Sequence, residues 1–586
     1  MKRILSHSVL IITSALLVFH LFSKDFTNPY ERPIAGDAQA YYAYLPAIFI
    51  YNDLQFAFVE DINAKYYPES HQKSFLKDAG NGKVNKTFPG VAILYLPFFI
   101  IAHALALLFG LDADGYSTVY QVLFDLALWF YLFFGLIGLK KVLHFKGFTK
   151  QISSAVPIIL ILGTNMFFYT VYDQSVTHIY NFFMINWFIY LLLKHQKNRE
   201  LKPLLLVAFL ISLIGITRPT NVLVIGLVFF FITDVKFYKE FFHFLFRIKH
   251  LLPISLIALS VLSIPFILWK LQTGNWIVYS YGEEGFNFND PHLFEFLVSY
   301  LKGWWVYTPL ALLILLVGLP LLYNYCKKRF VIAIGFNLVT IYVFSSWWCW
   351  YYGAGMSQRV MIDHYVLLGF ILALILRKVE FSNWKWRPKQ TVVLSLIALL
   401  SFVNIAQAWQ IRNGILTGGS ATKSQYWDNF MVFEKKARVY PHEHWKLESE
   451  IEIDLNPTAG FIEKGTPLLI EDKWCTEVTA WQNYSASIIL PVDSLRKGSK
   501  LIIGFEARSI MGSEETRLVV EMDENRIVFG LDQYLKQDEW VKMEFLVEPN
   551  QIIRSKPILF FWNGGSEEKV EFREVEILSY FSEDYL

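Results

Sequence analysis

The sequence predicts a polytopic α-helical membrane protein of about 11 to 13 spans that ends in an antiparallel β-sandwich. Three observations predict it. The 586-residue chain is 54% hydrophobic and only 18% charged, with a mean hydropathy of +0.36, whereas water-soluble domains carry about 25% charged residues. The charge is also uneven, with roughly half of the Asp, Glu, Lys and Arg residues after position 410. Beyond about Phe430, apolar runs of helical length give way to alternation with a period of two. A formal charge of +2 with no concentrated Lys/Arg field argues against nucleic acid as a partner. Cys326, Cys349 and Cys475 lack C-x-x-C spacing, so neither a disulfide framework nor a zinc site is supported.

Apolar runs occupy positions 4–23, 88–109, 117–138, 153–172, 178–193, 203–216, 221–233, 251–270, 303–323, 330–346, 360–376 and 391–409. Several approach the roughly 20 residues that a helix needs to span hydrocarbon. The first comes after Lys2 and Arg3 without a small-x-small cleavage site, which reads as a retained helix rather than a signal peptide. Basic residues gather at 140–150, 194–202, 236–249, 327–329 and 377–389, and such clusters mark the cytoplasmic side. The loops at 173–178, 218–221, 271–302 and 347–359, and everything after about Gln410, then lie on the opposite face. Parity fails by one, because a first loop at 24–87 outside and two full crossings would put Lys140 outside as well. One segment between 36 and 138 must dip or lie along the interface, with 88–110 and 41–51 the candidates. The expected organisation is a transmembrane domain at 1–410, a linker at 411–430 and an extracytoplasmic sandwich at 431–586.

In the tail, Leu447, Ser449, Ile451 and Ile453 alternate with Glu448, Glu450, Glu452 and Asp454. Further short runs at 487–490, 501–505, 517–522, 540–547, 558–562 and 570–578 are separated by turn signals such as Asn563-Gly564-Gly565. Trp474, Trp481, Trp540 and Trp562 are candidates for stacking on sugar rings, and core packing is the stronger reading because aromatic residues in strands are mostly buried.

Ionisable residues near membrane depth are expensive, and here they collect on one face. Asp37, in Gly36-Asp37-Ala38-Gln39-Ala40-Tyr41-Tyr42, is a general base or a helix-capping carboxylate. Lys86, in Lys86-Thr87-Phe88-Pro89-Gly90, pairs with a phosphate or snorkels as an anchor. Asp173 and His178 bracket a short polar stretch, and Arg218 interrupts a long apolar run beside Pro219, so it requires a partner. In the segment from Ser345 to Arg359 the Trp and Tyr residues make an interfacial belt. Gly353, Gly355, Ser357, Gln358 and Arg359 at the end of that segment, with Asp363 and His364 beyond, have the composition of a phosphate clamp. Asp112-Ala113-Asp114 has D-x-D spacing but sits before Gly115 and reads as a turn.

This layout resembles the membrane-embedded glycosyltransferases of the GT-C superfamily, and within them the glycosyltransferase family 39 type that includes protein O-mannosyltransferases and aminoarabinose transferases. The resemblance covers roughly residues 1–410 and rests on Gly36-Asp37, Lys86-Thr87-Phe88-Pro89 and Gly355-x-Ser357-Gln358-Arg359 in that order. Many members show Asp-Glu where this chain has Asp37-Ala38, and Lys-Pro-Pro where it has Lys86-Thr87-Phe88-Pro89. The resemblance implies a sugar donor on a polyprenyl phosphate and a glycan, lipid or protein acceptor. Asp37 would be the base, and Lys86 and Arg359, with Arg218 and His178, would lie on the donor phosphate. Asp173, Tyr41, Gln358, Asp363 and His364 are expected to contact substrate. A base opposite the leaving group implies inversion at the anomeric carbon. Neither a metal nor a cofactor is assigned, since the cations supply the countercharge. The expected location is the bacterial inner membrane, with the site and the tail extracytoplasmic. Two rivals remain at this level: a transporter or flippase for a lipid-linked saccharide, and a non-catalytic glycan-binding envelope protein.

Overall fold

The computed structural model describes residues 7–26, 28, 31–67, 75–381, 388–419, 421–439, 445–464, 467–479, 482, 484–490, 499–512, 515–522, 525–548, 557–563 and 569–582. The chain divides into two compact units, Met1–Arg412 and Asn413–Leu586.

The main helices of the first unit are α1 (Ser8–Ser23), the short α2 (Asp37–Tyr42), α3 (Gly90–Leu108), α4 (Thr118–Phe145), α5 (Lys150–Gly163), α6 (His178–Asn198), α7 (Leu201–Thr217), α8 (Ile225–Phe231), α9 (Ile248–Thr273), α10 (Pro309–Tyr325), α11 (Lys327–Ser345), α12 (Tyr365–Lys378) and α13 (Pro388–Arg412). Short 3₁₀ segments, Pro219–Val224 and Arg359–His364, lead into α8 and α12. Among the described residues, six segments are long and apolar enough to cross a membrane: α3, α4, α9, α11, Arg359–Lys378 and α13. Shorter apolar helices, among them α1, α5, α7 and α10, accompany them. The chain is an integral membrane protein. The Arg359–Lys378 segment is 94% buried within the protein, as expected of a helix that is apolar on every face.

Contacts at the ends of α3 bear on which segment breaks the parity. At its start, Tyr44 Oη donates to Thr87 O at 2.7 Å and Asn85 Nδ2 to Ala40 O at 2.7 Å. Just past its end, Tyr42 Oη donates to Gly115 O at 2.6 Å, Tyr51 Oη to Asp114 O at 3.0 Å, and Lys65 Nζ reaches both Asp112 and Asp114 at 2.9 Å. The first loop thus grips both ends of α3. Along its length α3 packs on the first half of α4, from His103 against Tyr120 at 2.6 Å to Leu94 O accepting from Tyr131 at 2.8 Å. The length and composition of α3 permit a span, while the first loop touches the residues that flank both its ends. With α3 counted as non-crossing, the remaining segments alternate in direction and the five basic clusters share one end. The Asp112-Asp114 pair closes a turn, with Asp114 Oδ1 accepting from the backbone N–H of Tyr116 and Ser117.

The first loop also holds a small hairpin, β1 (Leu76–Asp78) with β2 (Lys83–Asn85). The second unit contains β3 (Trp445–Ile453), β4 (Ile462–Lys464), β5 (Leu468–Ile470), β6 (Lys473–Val478), β7 (Ser487–Ile489), β8 (Ser499–Met511), β9 (Arg517–Met522), β10 (Asn525–Gly530), β11 (Val541–Val547), β12 (Ile558–Trp562) and β13 (Lys569–Ser582). They form two antiparallel sheets, ordered β10-β9-β12-β7-β4 and β11-β8-β13-β6-β5, with β3 also paired to β13. Alternate residues such as Leu501, Ile503 and Phe505 on β8 and Leu518 and Val520 on β9 face one shared core. At its centre Phe561 stacks on Phe572 at 3.6 Å and meets Phe505 edge-on at 4.8 Å. Two of the described tail tryptophans, Trp540 and Trp474, are engaged by the protein itself. Trp540 lies between the guanidinium groups of Arg508 at 4.6 Å and Arg573 at 3.8 Å, Trp474 packs on the core, and Trp562 stacks with Tyr484. Trp481 and the Gly564-Gly565 turn lie outside the described residues.

In a cysteine-free background, single cysteines at Asn81 and Leu111 are expected to react with a membrane-impermeant maleimide from one side and a cysteine at Lys150 from the other. Labelling of Leu111→Cys together with Lys150→Cys would restore α3 as a crossing.

Candidate functional site

Gly36 takes φ +55° with ψ −128°, a conformation that excludes most side chains, and it occupies the cap position of α2. Asp37 is therefore not the cap; it is the first helical residue. Its Oδ2 accepts from Arg359 Nη2 at 2.8 Å across 322 positions of sequence. The pair is asymmetric: the Asp37 side chain is 47% exposed and that of Arg359 15%. The guanidinium is enclosed while the carboxylate faces open space. Arg359 Nε has no hydrogen-bond partner among the described residues.

The 3₁₀ segment that carries Arg359 is fixed by Asp363, four residues further on and fully buried. Its Oδ1 accepts from His178 Nδ1 at 2.8 Å, and its Oδ2 accepts from Asn221 Nδ2 at 2.7 Å and Asn181 Nδ2 at 3.2 Å. With Nδ1 donating to the carboxylate, His178 presents Nε2 as an acceptor, and Arg218 Nη1 lies 3.4 Å from it. Arg218 also lies over the Tyr352 ring at 5.8 Å. Asp363 thus ties α6, the Pro219–Val224 turn and the approach to α12 into one assembly. The chain enters this turn through left-handed backbone at Tyr352, Gly353, Gly355 and Ser357. At Gly355, φ is +123° and a Cβ would stand 2.5 Å from Tyr169 Oη, which itself accepts from Met356 N at 3.0 Å.

Tyr41 lies within the electrostatic reach of Asp37 and of both arginines. Burial raises its phenol above the ordinary range, Asp37 and Tyr281 add to the rise, and Arg218 and Arg359 oppose it. Lys302, which sequence reasoning does not single out, is 1% exposed and donates to Gly353 O at 2.9 Å. Burial holds its ammonium well below the ordinary value, Arg359 lowers it further, and Asp173 and Asp37 act in the opposite sense. It is a buried amine whose partner is the backbone of the very loop that leads to Arg359. Nothing in Lys302-Gly303-Trp304 distinguishes it from an interfacial anchor.

Of the other expected site residues, Lys86 forms an ion pair with Glu284 and lies 5.6 Å from the Tyr281 ring, so its charge is already matched. His364 points away into Phe336 and Phe344, and neither ring nitrogen has a hydrogen-bond partner among the described residues. Asp173 is engaged by Ser175, whose backbone N–H donates at 3.1 Å, and lines an adjoining cavity of about 240 Å³ together with Gly36, Lys24, Glu31 and Arg412. Behind that cavity Lys24 donates to Gln174 at 2.7 Å, and His20 bridges Asp125 at 2.9 Å and Val171 O at 2.7 Å. The Gln358 carboxamide is wholly buried, and both its side-chain atoms lack partners among the described residues. Its backbone carbonyl accepts from Asn165 Nδ2 at 3.2 Å. No group of three or more His, Cys, Asp or Glu side chains suited to a metal ion occurs among the described residues.

Fold and site together define an integral membrane protein with an acid and cations clustered beside its first loop, joined in sequence to an antiparallel β-sandwich. No family model and no curated protein matches the chain. Among solved structures it is similar to the arabinosyltransferase EmbB from Mycobacterium smegmatis, with a TM-score of 0.29 and 11% identity, over 84% of this chain and 59% of that one. The match thus spans less than two thirds of that protein's length.

The Lys302 amine gives a pH signature. A lysine whose folded value is lowered binds fewer protons folded than unfolded, so its contribution to stability rises with pH up to the ordinary value of 10.5. Lys302→Met removes this contribution. The variant is expected to unfold at a higher temperature than the parent near neutral pH, with the gap closing as pH approaches 10.5; a gap that widens with pH would contradict the assignment.

Proposed function

We propose that the chain is a membrane glycosyltransferase of the GT-C type, transferring a sugar from a polyprenyl-phosphate donor to an extracytoplasmic acceptor. The observation that carries this reading is the contact between Asp37 and Arg359, a carboxylate and a guanidinium from distant segments at the mouth of the bundle. Transfer needs a base for the acceptor and a countercharge for the leaving phosphate, a short distance apart. In the resting protein each group satisfies the other. The donor phosphate, with more negative charge and a bidentate match to the guanidinium, displaces Asp37 from Arg359 and so releases the carboxylate as a base. The acceptor oxygen then bonds to the anomeric carbon as the bond from that carbon to the phosphate oxygen breaks. The acceptor proton passes to Asp37, and polyprenyl phosphate leaves with its charge held by Arg359 and Arg218. Attack from the side opposite the phosphate inverts the anomeric centre.

In this reading His178, oriented by Asp363, positions Arg218, and Tyr41 and Gln358 border the donor. Lys86 is a rim residue whose pairing with Glu284 leaves it a minor part in phosphate binding. Purified protein supplied with a membrane lipid extract is expected to release polyprenyl phosphate, which simple transport of an intact donor would not. Asp37→Asn is expected to lower turnover by about 10²- to 10⁴-fold, with donor binding kept because Arg359 is freed rather than lost. Arg359→Ala is expected to raise the KM for donor more than that for acceptor. Full activity in Asp37→Asn would refute the role of that residue, and equal effects of Arg359→Ala on both substrates would remove it from the phosphate.

A further inference from the structure

We propose that the end of the bundle away from Asp37 and Arg359 holds a binding site for an anionic phospholipid, in a cavity between α1, α4 and α5. The cavity encloses about 850 Å³, within the range of small-molecule sites. One wall is apolar, formed by Val9, Leu10, Phe133 and Ile137, and Leu10 is half-exposed on the flank that meets lipid. The rim is basic, with Lys140, Lys141, His144 and Lys150. No Asp or Glu is among the described residues that line it.

Three features separate this from an ordinary solvated lysine ring. Lys141 is held over the rings of Trp187 and Tyr190, 5.2 Å from each, which restrains the ammonium beside the opening. The N-terminus of the 14-residue α5 enters the cavity through Lys150 and Gln151; Thr149 Oγ1 already caps the Ile152 N–H at 3.3 Å, and the N–H groups before it have no partner within the helix and favour an anion. One step further on, Ser153 is wholly buried and lines the cavity, and its Oγ has no hydrogen-bond partner among the described residues. A buried hydroxyl left unpaired is costly, and a phosphate oxygen would satisfy it. Phosphate on the lysines and the helix terminus, with an acyl chain along Leu10 and Phe133, uses every part of the cavity. A free phosphate ion would leave the apolar wall empty. A zwitterionic lipid would bring its own cation to a basic rim.

The test uses the full chain, purified in detergent and stripped of lipid, with native mass spectrometry and thermal unfolding as readouts. Phosphatidylglycerol is expected to be retained and to raise the unfolding temperature, whereas phosphatidylcholine and inorganic phosphate at equal concentration do neither. Replacing two rim cations in Lys141→Gln/Lys150→Gln is expected to weaken phosphatidylglycerol binding by roughly tenfold or more. Leu10→Trp, which fills the apolar wall and leaves the lysines in place, is expected to weaken it as well, with unchanged helix content by circular dichroism. Equal retention of phosphatidylcholine, the same shift with inorganic phosphate alone, or undiminished binding in Leu10→Trp would each overturn the proposal.

Discussion

The arrangement of the membrane unit turns on one buried carboxylate. Removing a carboxylate from water costs several kcal/mol unless its oxygens are fully engaged, and Asp363 is engaged from three positions: His178, Asn181 and Asn221. These partners come from α6 and from the turn broken by Pro219. The bundle therefore cannot form without bringing α6, the start of α8 and the turn before α12 to one point. Arg359 sits on the same 3₁₀ segment as Asp363, so the requirement that one group be paired fixes the location of the other. The left-handed residues from Tyr352 to Ser357 serve the same end, folding the aromatic loop back so that Arg359 emerges toward the first loop.

Opposite charges meeting at an opening differ from charges paired within a core. In the core a pair that satisfies itself is finished, as with Asp363 and its neighbours. The carboxylate of Asp37 remains about half exposed while its guanidinium partner is enclosed, so the contact can be exchanged for a ligand without exposing Arg359 to water. Around it stand Arg218 and a buried amine at Lys302, on which Asp37, Asp173 and Asp363 also act. Under the proposed function a donor phosphate takes the place of the exposed Asp37 at Arg359. Lys86 illustrates the contrast, since Glu284 matches its charge.

The broad architecture was legible because hydropathy and alternation are direct consequences of burial. The apolar runs became helices, and runs such as 501–505, 517–522 and 558–562 became strands of the sandwich. Among the described residues, four short strands of the sandwich and the hairpin of the first loop were missed, including Lys473–Val478 and Asn525–Gly530, where charged residues mask the alternation. The parity conflict was visible in the sequence, where α3 is as apolar as a crossing helix; the grip of the first loop on both its ends was not visible there. Asp37 and Arg359 were readable as charges out of place on one face. That the two touch was not, and neither was the partner of Lys86. Lys302 escaped because a lysine before an aromatic pair is also what an interfacial anchor looks like. Trp540 shows the converse: a residue type suited to sugar binding is covered by the protein's own arginines.

The most direct test of the proposed transfer is a cryo-EM structure of the full chain with a non-transferable polyprenyl-phosphate sugar. The mechanism requires the phosphate within hydrogen-bonding distance of Arg359, with Arg218 on its other side and Asp37 detached from the guanidinium and facing the anomeric carbon. A donor phosphate bound elsewhere, with the contact between Asp37 and Arg359 intact, would contradict it.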